Sequence, residues 1–176
     1  ELAKLLGQGT EAQQRKAVAL ETAASQQDVQ AFFDGLCAEL LTRAGYAPIL
    51  PKGFDHLCCG QMLASKGMAA EAEGMSNTLE AALMKASENG KYPVIMDAST
   101  CTARMQKHLA GRLMLYDVHE FAVDALLPRL VINRERGPVA LHVNCSVRKN
   151  GADGKLRQLL KACAEEIIEP AGVTCC

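Results

Sequence analysis

Apolar positions along this chain follow two rhythms. Val29, Phe32, Phe33, Leu36, Cys37, Leu40, Leu41 and Ala44 recur at three- and four-residue spacing, which predicts one apolar helix face. Ser25 or Asp28 can cap that helix, and Gly45 ends it. Short apolar runs predict strands at Lys16 to Leu20, Tyr46 to Leu50, Tyr92 to Met96, Leu113 to Tyr116, Val139 to Val143 and Glu166 to Glu169. Between them lie further helical stretches: Gly60 to about Ser87 with a break at Gly74, Asp97–Cys101 onward to Leu109, His119 to Leu130 bent near Pro128, and Lys155 to Glu165. Asn89-Gly90, Gly137-Pro138 and the Gly-rich run at 150–154 punctuate.

Strands alternating with helices at this spacing predict an α/β protein, with a mainly parallel sheet and helices on both faces. The order strand, helix, strand, Pro-x-Gly turn, Cys-Cys occurs twice. Pro51-Lys52-Gly53 precedes Cys58-Cys59, and Pro170-Ala171-Gly172 precedes Cys175-Cys176. The echo predicts two pseudo-repeated βαβ halves, 16–137 and 138–176. Residues 1–15 are polar and rich in Ala, Gln and Gly, and read as a linker from a preceding domain.

Composition narrows the function classes. The chain has 176 residues, nearly half of them apolar, enough for a sizeable core. A net charge of −1 gives no general attraction to nucleic acid or to an anionic membrane, and the absence of Trp disfavours base stacking. No apolar run reaches the roughly 18 residues of a transmembrane segment, and no signal-peptide pattern opens the chain. The expected location is the cytoplasm, or the inner face of a membrane as a peripheral protein. Eight cysteines in that setting point to metal or redox chemistry rather than secreted disulfides.

Two of the eight read as packing groups, Cys37 beside Phe33 and Leu40 and Cys163 in register with Leu156, Leu159 and Leu160. The other six, Cys58, Cys59, Cys101, Cys145, Cys175 and Cys176, each follow the carboxyl end of a predicted strand. Parallel strands put those ends on one rim, where open α/β sheets bind ligands. Cys58, Cys59 and Cys101 also lie near helix starts, where the dipole favours thiolate. Thiolates select zinc or iron–sulfur clusters over hard cations. There is no Cys-x-x-Cys pair of the structural zinc kind, and vicinal pairs at wide spacing are not the common ferredoxin pattern. The residues alone therefore define a soft-metal thiolate site without naming the metal, and a vicinal Cys58-Cys59 redox pair stays open beside it.

The stretch Leu57-Cys58-Cys59-Gly60 through Met68 resembles the cysteine-rich CCG domain found in heterodisulfide reductases and in the iron–sulfur component of glycolate oxidase. The stretch His142 to Lys155, with the closing Gly172-Val173-Thr174-Cys175-Cys176, is most similar to the C-terminal region of bacterial FAD- and iron–sulfur-containing D-lactate dehydrogenases. The resemblance covers about residues 16–176. It implies a tail domain of a flavoprotein that oxidises a D-2-hydroxy acid, such as D-lactate or glycolate. It further implies FAD in a preceding domain, a 4Fe-4S-type cluster here, and electron flow to a respiratory quinone or cytochrome. Cys58, Cys59 and Cys101 match the first half of the family pattern, and Cys145, Cys175 and Cys176 the second. The sequence departs from it after the first strand, where Leu20 runs into Glu21-Thr22-Ala23-Ala24 without the family's lone Cys, and at Cys176, where the second half stops short. The piece alone is expected to be inactive.

A zinc-stabilised interaction domain and a dithiol module remain the rival expectations. His56 is a ligand or proton carrier, or a solvated loop residue; His142, alternating with Leu141 and Val143, is expected to face away from them. Arg148 and Lys149 would steady an anionic cluster or face solvent. The methionines read as core filling. No dinucleotide fingerprint or phosphate loop assigns flavin or nucleotide to these residues.

Overall fold

The structure is a computed structural model that describes residues 15–20 and 37–172. The expected linker (but for residue 15), the start of the first helix with its cap candidates, the Glu21–Ala24 departure, and Cys175 and Cys176 lie outside the described residues.

Strand β1 (Arg15–Leu20) leads, after the undescribed stretch, to helix α1 (residues 37–43) and strand β2 (Tyr46–Ile49). A 3-10 turn (Phe54–His56), α2 (Gln61–Ser65) and α3 (Ala69–Ala86) follow, then β3 (Val94–Met96), α4 (Ser99–Leu109) and β4 (Leu115–Asp117). The chain continues through α5 (Val118–Phe121), β5 (Glu135–Ala140), α6 (Cys145–Lys149), α7 (Asp153–Cys163) and β6 (Ala164–Ile168). The first four strands form one parallel sheet in the order β2-β1-β3-β4, and β5 and β6 form a separate parallel pair. This is the expected α/β class.

Strand β3 shows why helices cover both faces. Its three residues are all buried, and successive side chains of a strand point to opposite faces. Val94 and Met96 pack against Leu79 and Leu83 of α3 and Met105 and Leu109 of α4. Ile95 packs on the other side with Leu41 and Ala44, Tyr46, and Phe121 of α5. A strand buried on both faces reads as a continuous apolar run, which is what Val-Ile-Met is. The sheet order reverses direction between β1 and β3, a switch point whose carboxyl edge is a ligand crevice in doubly wound sheets.

The β5–β6 unit has a small core of its own, in which Leu141, Val143 and Val147 meet Leu156, Leu160 and Ile167. Among the described residues it has two strands where the first unit has four, so the expected pseudo-repeat finds no confirmation in the sheets. Helix α6 lies beside α4, where Asn150 Nδ2 donates to the Ser99 carbonyl at 3.3 Å. Lys155 pairs with Asp124 across the same junction. A mainly apolar cavity of about 550 Å³ lies between the units, lined by Leu41, Ile95, Phe121, Leu156, Leu160 and, at its rim, Asn144 among others.

Three local expectations are corrected. The helical break falls at Gly67, not Gly74, which sits inside α3. Gly67 has φ +82°, and the Gly67 N–H bonds the Ala64 carbonyl while the Met68 N–H bonds the Leu63 carbonyl. That pair of bonds is a helix stop built on a left-handed glycine. Gly137-Pro138, expected as punctuation, lies within β5, and the pairing with β6 shifts register between Glu135 and Pro138. Proline is tolerated there because a two-stranded sheet offers only edges. The 139–143 strand is accordingly displaced to Glu135–Ala140. Near Pro128 the helix bends as expected: α5 widens into a π turn at Ala122–Leu126 and tightens into a 3-10 turn at Leu127–Arg129.

Leu79 has no exposed surface and fills the α3 side of the sheet. Leu79→Ala is expected to cost about 2–5 kcal/mol in urea unfolding, while Val131→Ala, at a position 79% exposed, stays within about 0.5 kcal/mol of the parent.

Candidate thiolate site

Cys59 and Cys101 arrive at one point from separate elements. Beyond β2 the chain turns at buried Pro51, passes the 3-10 turn and returns over α3 at Cys58-Cys59. Beyond β3 only Asp97 and Ala98 intervene before α4, so Cys101 occupies its first turn. The Cys59 and Cys101 Sγ atoms lie 2.9 Å apart in a hydrogen bond, although the residues are 42 positions apart in sequence. Cys59 is buried, Cys101 half-buried and Cys58 exposed; all three are free thiols.

The loop that carries Cys59 is held by its backbone. The Cys59 carbonyl accepts from Arg104 Nε at 2.6 Å and from Ser76 Oγ at 2.9 Å. Arg104 stands on α4 one turn after Cys101, and Ser76 is fully buried on α3. The two helices thus clamp one peptide group. Gly60 closes the loop with φ +79°, and a Cβ there would meet the Ala72 carbonyl oxygen at 2.3 Å. Only glycine gives both the left-handed turn and that close approach. The Gly60 N–H points to Cys58 Sγ at 3.4 Å and the Gln61 N–H to Cys59 Sγ at 3.5 Å.

These contacts polarise the pair. The hydrogen bond from Cys101 lowers the Cys59 pKa; burial opposes this, and the Gln61 N–H and the Arg104 charge add to it. The same bond, with burial and the neighbouring acidic groups, Cys59 first among them, raises that of Cys101. A helix N-terminus favours thiolate, yet here the neighbouring sulfur outweighs it. The contacts thus favour the thiolate at Cys59 over that at Cys101.

The donor chemistry of Cys58, Cys59 and Cys101 suits a soft metal or an iron–sulfur cluster. Their spacing is that of a pair in contact. Two thiolates on one tetrahedral ion at 2.3 Å stand about 3.8 Å apart, so metal binding requires the 2.9 Å pair to open. Among the described residues no group of three or more His, Cys, Asp and Glu side chains is arranged to hold a metal ion.

The remaining predicted residues are placed as follows. Cys145 opens α6, where Asn144 Oδ1 caps the helix by accepting from the Val147 N–H at 2.9 Å. The residue that follows α6, Asn150, reaches α4 at Ser99. Cys175 and Cys176 lie outside the described residues, so the second set of three is represented by Cys145. Cys37 and Cys163 line the apolar cavity, in line with a packing role. His56 is exposed beside Asp55, and His142 is exposed while Leu141 and Val143 are buried.

Sequence reasoning missed Arg104 and Ser76 as supports. Their only signal was spacing: Arg104 three residues after Cys101, and Ser76 on the apolar face of α3. It also missed a buried pair at the end of β4, where Asp117 Oδ1 lies 2.6 Å from His119 Nδ1. Burial alone would lower the His119 pKa. The hydrogen bond and charge of Asp117, the charge of Glu120 and the Ala152 carbonyl outweigh burial and raise it.

In comparisons with protein-family models, curated proteins and solved structures, nothing matches the chain. Among the described residues no helix is long and apolar enough to cross a membrane.

Gly60→Ala is expected to destabilise the fold by more than about 2 kcal/mol, since left-handed strain adds to a backbone collision; chemical denaturation measures it. For His119 the native pKa lies above the unfolded value, so its contribution is complete below pH 6.5 and fades as pH rises through the native pKa. Unfolding free energies across pH 5.5–9 should therefore fall more steeply for the parent than for His119→Gln.

Proposed function

We propose that Cys58, Cys59 and Cys101 are the thiolate end of an iron–sulfur electron-transfer centre. In this reading the chain is the iron–sulfur part of a FAD-dependent D-2-hydroxy-acid dehydrogenase of the D-lactate or glycolate type. The observation that carries it is the meeting of Cys59 and Cys101, 42 residues apart in sequence, at the carboxyl edge of a doubly wound sheet. A cluster held there supplies one-electron steps between a flavin in another domain and a respiratory acceptor such as a quinone or cytochrome.

The residues of this chain do the holding. Cys59 and Cys101 supply sulfur from rigid supports, and exposed Cys58 supplies a third from the open side. Arg104 and Ser76 fix the Cys59 peptide, so that this sulfur keeps its place when its neighbour moves. The Arg104 guanidinium also offsets negative charge gathered at the site. Cys145, Cys175 and Cys176 would complete or add to the ligand set, as the resemblance implies. The expected setting is the cytoplasm or the inner membrane face, and the isolated piece is expected to show no dehydrogenase activity.

Anaerobic preparation of the full chain with iron and sulfide tests this. Bound iron and sulfide with broad visible absorption, lost in Cys59→Ser and Cys101→Ser, is the expected result. Colourless protein carrying stoichiometric zinc and no sulfide would overturn it in favour of a zinc-stabilised structural domain.

A further inference from the structure

The geometry points to a reversible redox modification: in the metal-free chain, Cys59 and Cys101 form a disulfide when a small hydroperoxide oxidises Cys59. This goes beyond the cluster reading and does not rest on it, because it concerns the protein without metal.

Two free thiols 2.9 Å apart need to close by only about 0.9 Å to reach a sulfur–sulfur bond length. Both are mounted on firm backbone, Cys59 through the Arg104 and Ser76 clamp and Cys101 in the first turn of α4. The encounter of the two sulfurs is therefore built into the fold rather than awaited from loop diffusion. Cys59 is only 4% exposed, which disfavours bulky oxidants and makes a small hydroperoxide the oxidant to test. Half-buried Cys101 lies against Cys59. Cys58 differs from both: it is exposed, and joining it to its neighbour would close a ring across a single peptide bond.

The chemistry balances in two steps. The Cys59 thiol attacks the O–O bond of the hydroperoxide, giving Cys59 sulfenic acid and releasing the alcohol, or water when the oxidant is hydrogen peroxide. The Cys101 thiol then attacks the Cys59 sulfur, forming the disulfide and releasing one water. Two thiols lose two electrons in all, and one peroxide bond takes them. A dithiol reductant reverses the outcome by exchange.

The test uses the full chain, reduced and freed of metal, with hydrogen peroxide in slight excess. Alkylation counting and peptide mapping by mass spectrometry should show two of the eight thiols lost, a Cys59–Cys101 linked peptide, and full recovery with dithiothreitol. Cys101→Ser should instead accumulate a Cys59 sulfenic acid that dimedone traps, and Cys58→Ser should leave the linkage intact. A Cys58–Cys59 link, a scrambled set of links, or an unchanged thiol count in the parent protein would overturn the proposal. The parent result stands even if a variant fails to fold. Iron and sulfide content, measured on a separate reconstituted sample, decides the cluster reading independently.

Discussion

A three-residue strand that must satisfy two cores governs this structure. Val94 and Met96 face α3 and α4, while Ile95 faces α1 and α5. With so short a strand there is no slack: a one-residue slip would exchange the two faces and expose apolar groups on each. The exit from β3 is fixed as firmly as the strand itself. Two residues later α4 begins, so Cys101 is delivered to the carboxyl rim by the same packing that buries Met96 and Met105.

Cys59 reaches that rim by a different device. Its loop has no ladder to hold it, and its order comes from one carbonyl gripped by Ser76 and Arg104 together with a glycine pressed on the α3 backbone. A buried carbonyl without partners would cost on the order of 1–3 kcal/mol, so the clamp removes a penalty and fixes a sulfur at once. Arg104 then acts twice. Its Nε binds the carbonyl, while its charge favours the thiolate on the same residue. The Asp117–His119 pair stands at the end of the neighbouring strand and reaches toward Ala152 of the β5–β6 unit. Electrostatics thus recur at successive strand ends, holding a sulfur loop in one case and the junction of the two units in the other.

The elements legible in the sequence were those with a strong period or a buried run. The strands at β1, β2 and β3, the α4 helix after Asp97, and the register of Leu156, Leu159, Leu160 and Cys163 follow directly from apolar spacing. Gly74 misled because helix propensity weighs an isolated glycine as a breaker, whereas Gly67 is the stop because two backbone bonds converge there. Gly137-Pro138 misled because the rule against proline in strands applies to central strands, and β5 is an edge. At the site, strand-end topology was enough to bring Cys59 and Cys101 together on paper. The supports could not be read, since a hydrogen bond from Arg104 to a carbonyl 45 residues away leaves no periodic trace.

The 2.9 Å separation sets the chemical character of the site. A disulfide holds two sulfurs at about 2.0 Å, and a tetrahedral metal holds them at about 3.8 Å. The observed spacing lies midway, so either occupant is reached by a displacement of about 0.9 Å that a side-chain rotation can supply. The two outcomes exclude each other, because a disulfide consumes both thiolates, the form in which cysteine binds a metal. A hydroperoxide acting on the metal-free site would therefore block later metal loading until a thiol reductant reopened it. Protection of these sulfurs by a metal, were one bound, and their closure by oxidation would be two consequences of one geometry.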